Sequence, residues 1–324
     1  MRFTKYAILA MIALVSGSLA QAQDRADWPN ALSIATAGAG GVYHVYGEGL
    51  AALITNDMGV PTRAEATGGT GHNATLIEMA LNDIGLVTMG PMLEALRGEG
   101  ELAYGVPHDN VRALFPMYET VFQGIALPEA EITSLADLQG KRISVGPSGG
   151  TPGTYWPRIL EALDIKAEVT NTTAVEAAEQ LKAGTLDAFL FAGGLPVSTF
   201  SALAAELGAR PFSVSGQEQE KILSEFPEFA HAMVPANIYV TQEANQVTFG
   251  MWNFAIVHAK MPESLAYEIT KLVMENNPRI RQIHAAGKDT LPQNHVHNTF
   301  LKFHPGAVRW FTENGFTISA HLTH

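Results

Sequence analysis

One order of segments recurs along this chain and limits its fold more than anything else: a short apolar strand, a glycine-rich corner, then a helix. ALSIAT (31–36) runs into AGAGG and on into a segment with Val42, Val45, Tyr46, Gly49, Leu50, Leu53 and Ile54 at spacings of three and four. TRAEAT (62–67) ends in GGTG and predicts a helix through Leu76, Ile77, Ala80 and Leu81. IGLVT (84–88) passes through MGP into MLEAL, and LDAFLF (186–191) passes through AGGLP into VSTFSALAAEL. KRISV (141–145) leads into GPSGGTPGTY and a helix through Ile159, Leu160 and Leu163. Strands alternating with helices of this length specify an α/β protein with mostly parallel sheets.

Two long stretches break the alternation. VRALFPMYETVFQGIALP (111–128) and NIYVTQEANQVTFGMWNFAIVHA (237–259) are rich in β-branched and aromatic residues and carry no helical period. Both read as extended. Two such crossings suit a chain that leaves one domain, builds a second and returns. The division expected is 27–117 with 250–324 as the first lobe and 118–249 as the second, since one core rarely grows to this size.

The first 22 residues read as an export signal. Arg2 and Lys5 precede the apolar run from Tyr6 to Val15, and Ala20-Gln21-Ala22 offers a small-residue cleavage box near Ala22. The chain has no cysteine, which excludes disulfides, thiolate metal sites and a thiol nucleophile. Net charge is −12, and near −14 once Arg2 and Lys5 are removed. That balance argues against nucleic acid and anionic lipid as partners. His295-Val296-His297 with His304, His321 and His324 lacks any metal-ligand spacing and reads as a solvated, polar C-terminal region.

The corners carry the chemistry. Each ends a strand and opens a helix, the edge where ligands bind in open α/β sheets. Glycine lets the backbone approach a ligand, and the first turn of a helix offers unpaired N–H groups that favour an anion. VGPSGGTPGTY (145–155) also satisfies G-x-S-x-G, the elbow of a serine hydrolase. Against an elbow, no HGGG-type segment precedes Ser148, and Pro152-Gly153 predict a delayed start to the following helix. A phosphate loop is unsupported because no lysine follows the glycines, and Tyr43 stands where G-x-G-x-x-G requires its third glycine.

Several co-linear motifs together resemble the TAXI family (TRAP-associated extracytoplasmic immunogenic proteins), the solute-binding subunits of tripartite ATP-independent periplasmic transporters. TAGAGGVYHVYGEGLAALI (36–54) resembles the family's opening segment, and ATGGTGHNATLI (66–77) its T-G-G-S segment, with Thr70 in place of the serine. SLADLQGKRISVGPSGGTPGT (134–154), AGTLDAFLFAGGLP (183–196) and FHPGAVRWFTENG (303–315) extend the match. Met89-Gly90-Pro91 departs from it, standing where the family usually has a serine–aspartate pair.

The resemblance implies a type II periplasmic-binding fold, two α/β lobes joined by a two-strand hinge with a ligand cleft between them. It implies a periplasmic protein without cofactor or metal. Such a protein captures a small organic solute bearing a carboxylate and passes it to the integral membrane subunits of a TRAP transporter. Carried over by motif, the ligand residues are Tyr43, Thr67, Gly68, Gly69 and Asn73 in the first lobe. In the second they are Ser148, Gly149, Gly150, Thr151, Thr154, Gly193 and Pro196. Windows 33–57 and 64–96 hold no Arg or Lys, which leaves Arg158 as the nearest cation for a carboxylate. An exported hydrolase using Ser148 and a sensory binding protein of the same fold are the alternatives.

Overall fold

The computed structural model describes residues 25–100 and 102–323. The expected export signal lies outside them. The first half of the described chain builds β1 (Leu32–Ala35), α1 (Val42–Met58), β2 (Thr62–Glu65), α2 (Thr70–Glu78), β3 (Ile84–Thr88) and α3 (Met89–Arg97). A 16-residue strand, β4 (Val111–Ala126), then crosses the molecule. The second lobe adds β5 (Arg142–Ser144), α4 (Thr151–Ala162), β6 (Glu168–Thr170), α5 (Ala174–Lys182), β7 (Ala188–Gly193), α6 (Ser198–Leu207), β8 (Arg210–Phe212), α7 (Gly216–Glu225) and β9 (Ala230–Val234). β10 (Gln246–His258) returns, and α8 (Glu263–Met274), α9 (Asn277–Ile283) and α10 (Pro305–Glu313) complete the first lobe.

The strands join in the order β2-β1-β3-β10-β4-β7-β5-β6, with β9 on β10 and β8 on β4. Within each half the pairing is parallel: β1 with β2 and β3, and β5 with β6 and β7. The two long strands run antiparallel to each other and to β3 and β7. The sheet is therefore mixed, where the alternation alone predicts a mostly parallel one. The cause is the outward and return passage of the chain, which places one long strand of each direction at the centre.

Apolar side chains segregate along these two strands. Phe115, Met117 and Tyr118 of β4, with Phe254, Ile256 and Val257 of β10, join the core beneath α1, α2 and α8. Phe122 of β4 and Phe249 and Met251 of β10 join a second core with Tyr155, Trp156 and Phe229. Phe122 stacks on Phe249 at 4.8 Å between ring centroids and meets Trp156 edge-on at 5.5 Å. Val121 and Ile125 face a third cluster under α5 and α6.

Local chemistry sets the helix ends. α1 buries Tyr46, Leu50 and Ile54 and stops at Gly59, whose left-handed φ of 71° lets its N–H reach the Thr55 carbonyl. α2 ends at Glu78, short of Ala80 and Leu81, because the chain turns through Ala80 at a φ of 53°. α4 begins at Thr151, without the delay that Pro152-Gly153 suggest. A proline within the first turn lacks an N–H that would have no helical partner anyway.

The second crossing is shorter than the sequence predicts. Residues 237–245 form turns instead of strand. Asn237 takes a φ of 62° and donates its N–H to the Gln242 carbonyl, while the Gln242 amide reaches the carbonyls of Val234 and Ala244. The turn lets β9 pair antiparallel with β10. Two of the C-terminal histidines differ from expectation, while His297 and His321 are exposed as expected. His295 is buried with its ring nitrogens at the carbonyls of Pro292 and Thr317, and buried His304 accepts the Gly306 N–H at the start of α10. They are structural side chains.

Candidate functional site

Four helices begin at one place. Gly41, Gly69, Thr88 and Gly150 are the N-cap residues of α1, α2, α3 and α4, and all four line a single cavity of about 50 Å³ between the lobes. None of these N-termini is capped by a side chain. Elsewhere Thr173, Ser215 and His304 cap α5, α7 and α10 with side-chain acceptors. The N-terminal ends of four helix dipoles therefore converge on this cavity, with the Gly71 N–H of α2 already taken by the Gly149 carbonyl.

A network of neutral hydroxyls forms one wall. Thr88 lies 2.6 Å from Thr151 and 3.2 Å from Thr70, and Thr70 lies 3.1 Å from Thr151. Thr151 belongs to the second lobe, so its hydroxyl bridges the cleft. Tyr43 donates to Asn253 Oδ1 at 2.5 Å, and Thr88 also reaches that oxygen at 3.1 Å. The Asn253 amide donates to the Tyr118 carbonyl at 2.6 Å and to Thr120 at 2.8 Å.

This arrangement depends on a bulge. Trp252 pairs with Glu119 and Phe254 with Pro116, so Met117 and Tyr118 of β4 together oppose Asn253 of β10. Such an extra residue re-aims neighbouring side chains. Tyr118 and Thr120 both line the cavity. The Tyr118 hydroxyl is buried and has no hydrogen-bond partner. Burial holds the Tyr43, Tyr46 and Tyr118 phenols well above the ordinary range, so all three stay protonated.

All but one of the residues singled out from sequence fall into three places. Tyr43, Gly69, Gly150, Thr151 and Gly193 line the cavity. Thr67, Gly68 and Asn73 stand behind it. Asn73 is fully buried and ties the carbonyls of Thr36 and Leu86 together, each at 2.7 Å. Thr67 donates to Asn73 at 2.6 Å and accepts from the Gly69 N–H at 3.1 Å, and the Gly68 N–H reaches His72 Nδ1 at 3.1 Å. These residues hold the shape of the corner.

Ser148, Gly149, Thr154 and Arg158 line a separate outer groove. Ser148 is exposed, and no histidine lines that groove among the described residues. Arg158 pairs with Glu94 of α3, its second contact at 3.4 Å, and lies over the Tyr155 ring at 5.4 Å. Pro196 follows a cis peptide before α6 and does not line the cavity. Thr88, Tyr118, Thr120 and Asn253 are not among the residues that sequence motifs single out, and Thr70 stands there only as a hydroxyl in place of a serine. The visible signal was the threonine ending IGLVT directly before a helix.

The lobes touch at several points around the cavity. The Gly71 N–H donates to the Gly149 carbonyl at 3.3 Å, and Ser198 donates to the Gly40 carbonyl at 3.3 Å. Gly69 meets the backbone of the opposite lobe, and a Cβ added to it would lie 2.9 Å from Gly150 Cα. Among the described residues no group of three or more acids and histidines could hold a metal, and no helix is long and apolar enough to cross a membrane.

Solved structures share this architecture. MatC from Rhodopseudomonas palustris with bound malate superposes with a TM-score of 0.57 at 12% identity, covering 83% of this chain and 92% of that one. A periplasmic transporter gives 0.54 at 15% identity, over 79% and 87%. An ancestral arginine-binding protein bound to arginine gives 0.52 at 16% identity, over 79% and 97%. The fold is the type II periplasmic-binding fold. The model of the NMT1-like family matches residues 34–315, and the chain belongs to that family.

Proposed function

We propose that this protein captures a small organic solute bearing a carboxylate in the cavity between its lobes. The observation that carries the reading is the convergence of four helix N-termini without side-chain caps on one cavity. First-turn amides and helix dipoles favour negative charge, and they are worth more where water is excluded. Glycines at 41, 69 and 150 let a ligand approach those amides. Hydroxyls from both lobes, Thr70 and Thr88 on one side and Thr151 on the other, make the closed arrangement the natural binding form.

The lobes of this reading are 27–117 with 250–324, and 118–249, with β4 and β10 as the hinge. Tyr43, Gly69, Gly150, Thr151 and Gly193 contact the solute. Thr67, Gly68 and Asn73 shape the corner. Ser148, Gly149, Thr154 and Arg158 form the mouth, where Arg158 and Glu94 latch the lobes. The protein is exported with cleavage near Ala22 and delivers its solute to the integral membrane subunits of a TRAP transporter, as the motif resemblance suggests.

The test is thermal unfolding of refolded, ligand-stripped protein against carboxylates, amino acids, amides and neutral sugars. A solute at about 100 times its dissociation constant adds roughly 2.7 kcal/mol. Stabilisation by carboxylates supports the reading. Stabilisation by neutral sugars alone, or by nothing, contradicts it. Delivery is tested by co-purification with the membrane subunits in the presence of the solute.

A further inference from the structure

We propose that the cavity selects a short-chain monocarboxylate, with the Tyr118 hydroxyl as a specific donor to the bound solute. The proposal rests on the carboxylate reading above and narrows it. No charged side chain lines the cavity among the described residues. A second carboxylate would be buried without a cation, and an ammonium group would be buried without an acid. Both arrangements are strongly unfavourable.

The neighbouring charges cannot serve. Glu119 alternates away from Tyr118 and Thr120 along β4 and faces the other side of the strand. Arg158 and Glu94 occupy each other in the outer groove. One negative charge can still be held by helix N-termini and hydroxyls, but these do not supply the paired charges that a second ionised group requires.

Tyr118 supplies the second observation. Its side chain is 1% exposed and its hydroxyl has no partner, although buried polar groups are nearly always paired. The ring is held in place, with Tyr46 at 5.4 Å, Tyr43 at 6.4 Å, and Gly194 packed so closely that an added Cβ would lie 2.8 Å from it. A donor fixed in a cavity wall and lacking a partner is positioned for a ligand oxygen. Val42, Pro147, Pro152 and Phe191 form apolar wall. They suit a short alkyl body, as does the small volume.

Isothermal calorimetry on refolded, ligand-stripped protein with propanoate, propanamide, malate and glutamate tests this. Propanoate is expected to bind at least 100-fold more tightly than malate or glutamate. Tyr118→Phe is expected to weaken propanoate by about tenfold or more, since a hydrogen bond to a charged group is lost. The ligand-free variant should unfold no earlier than the parent, because the lost hydroxyl had no protein partner. Tighter binding of malate or glutamate overturns the inference while carboxylate capture stands. Propanamide equal to propanoate overturns the carboxylate reading itself. Unchanged propanoate affinity in Tyr118→Phe, or no binding of propanoate, overturns the inference.

Discussion

Replacing Gly69 by alanine puts the closed arrangement of the lobes under direct strain. Gly69 has a φ of 103° and a ψ of −156°, a region that essentially only glycine occupies, so alanine costs about 1–3 kcal/mol locally. Its Cβ would also lie 2.9 Å from Gly150 Cα and 3.4 Å from both Gly149 O and Gly150 N. Those are backbone atoms of the opposite lobe and cannot swing aside. The local strain is felt whether the lobes are open or closed, but the wedge is felt only when they close. Gly59→Ala separates the two effects. Gly59 has a φ of 71° with nothing within 4 Å of an added Cβ, so it carries strain of about 1 kcal/mol without a wedge. Both variants should lose roughly 2–4 °C of melting temperature per kcal/mol. Only Gly69→Ala should also lose affinity for the solute, by about 5- to 150-fold for a wedge of roughly 1–3 kcal/mol. Calorimetry with the first solute found in the screen reads the affinity, and scattering reads the radius of gyration with solute bound. Gly69→Ala binding as tightly as the parent would refute the reasoning.

Three other perturbations have defined outcomes. Glu119 on the central strand has its carboxyl pushed up to about 7, first by burial and then by the Asp289 carboxylate. A raised carboxyl contributes stability that is fully present below its unfolded value, about 4.5, and is lost as pH rises through 7. Glu119→Gln should therefore raise the melting temperature at pH 8 and leave it nearly unchanged at pH 4.5, and equal effects at both would contradict this. The Arg158–Glu94 pair is half-exposed on the arginine side, so a double-mutant cycle should give a stability coupling of only about 0.2–1 kcal/mol, while Arg158→Ala speeds solute release in stopped-flow. Phe122 is fully buried among Tyr155, Trp156, Phe229 and Phe249, and Phe122→Ala should cost about 3–5 kcal/mol in chemical denaturation.

Much of the fold was legible because its signals are local. Apolar runs, glycine corners and helical spacing placed β1, β3, β7 and the helices after them, since each depends on residues a few positions apart. The long crossing 111–128 was legible from its composition. The turn at 237–245 was not, because it is made by the side chains of Gln242 and Asn245 bonding backbone at 234, 236 and 244. Pro152 suggests a delayed start to α4 only if proline acts as a breaker, and it stands in the first turn, where helices tolerate it.

The site divides along the same line. Corner glycines could be found by pattern, and Gly69 and Gly150 do line the cavity. Asn253 reaches Thr88, Thr120 and Tyr43 across three strands and a helix, from 133 to 210 residues away in sequence for the last two. Tyr118 faces the cavity through a bulge whose register no single strand reveals. Arg158 is the nearest cation to the corner in sequence, but proximity in sequence does not show that Glu94 lies opposite it.

The most direct measurement is a crystal structure of the protein with the best solute from the carboxylate screen. The account predicts density in the inner cavity, with carboxylate oxygens within hydrogen-bond distance of the first amides of α2 or α4 and of the Tyr118 hydroxyl. Density in the outer groove, at Ser148 and Arg158 with the Glu94 pair broken, would contradict it.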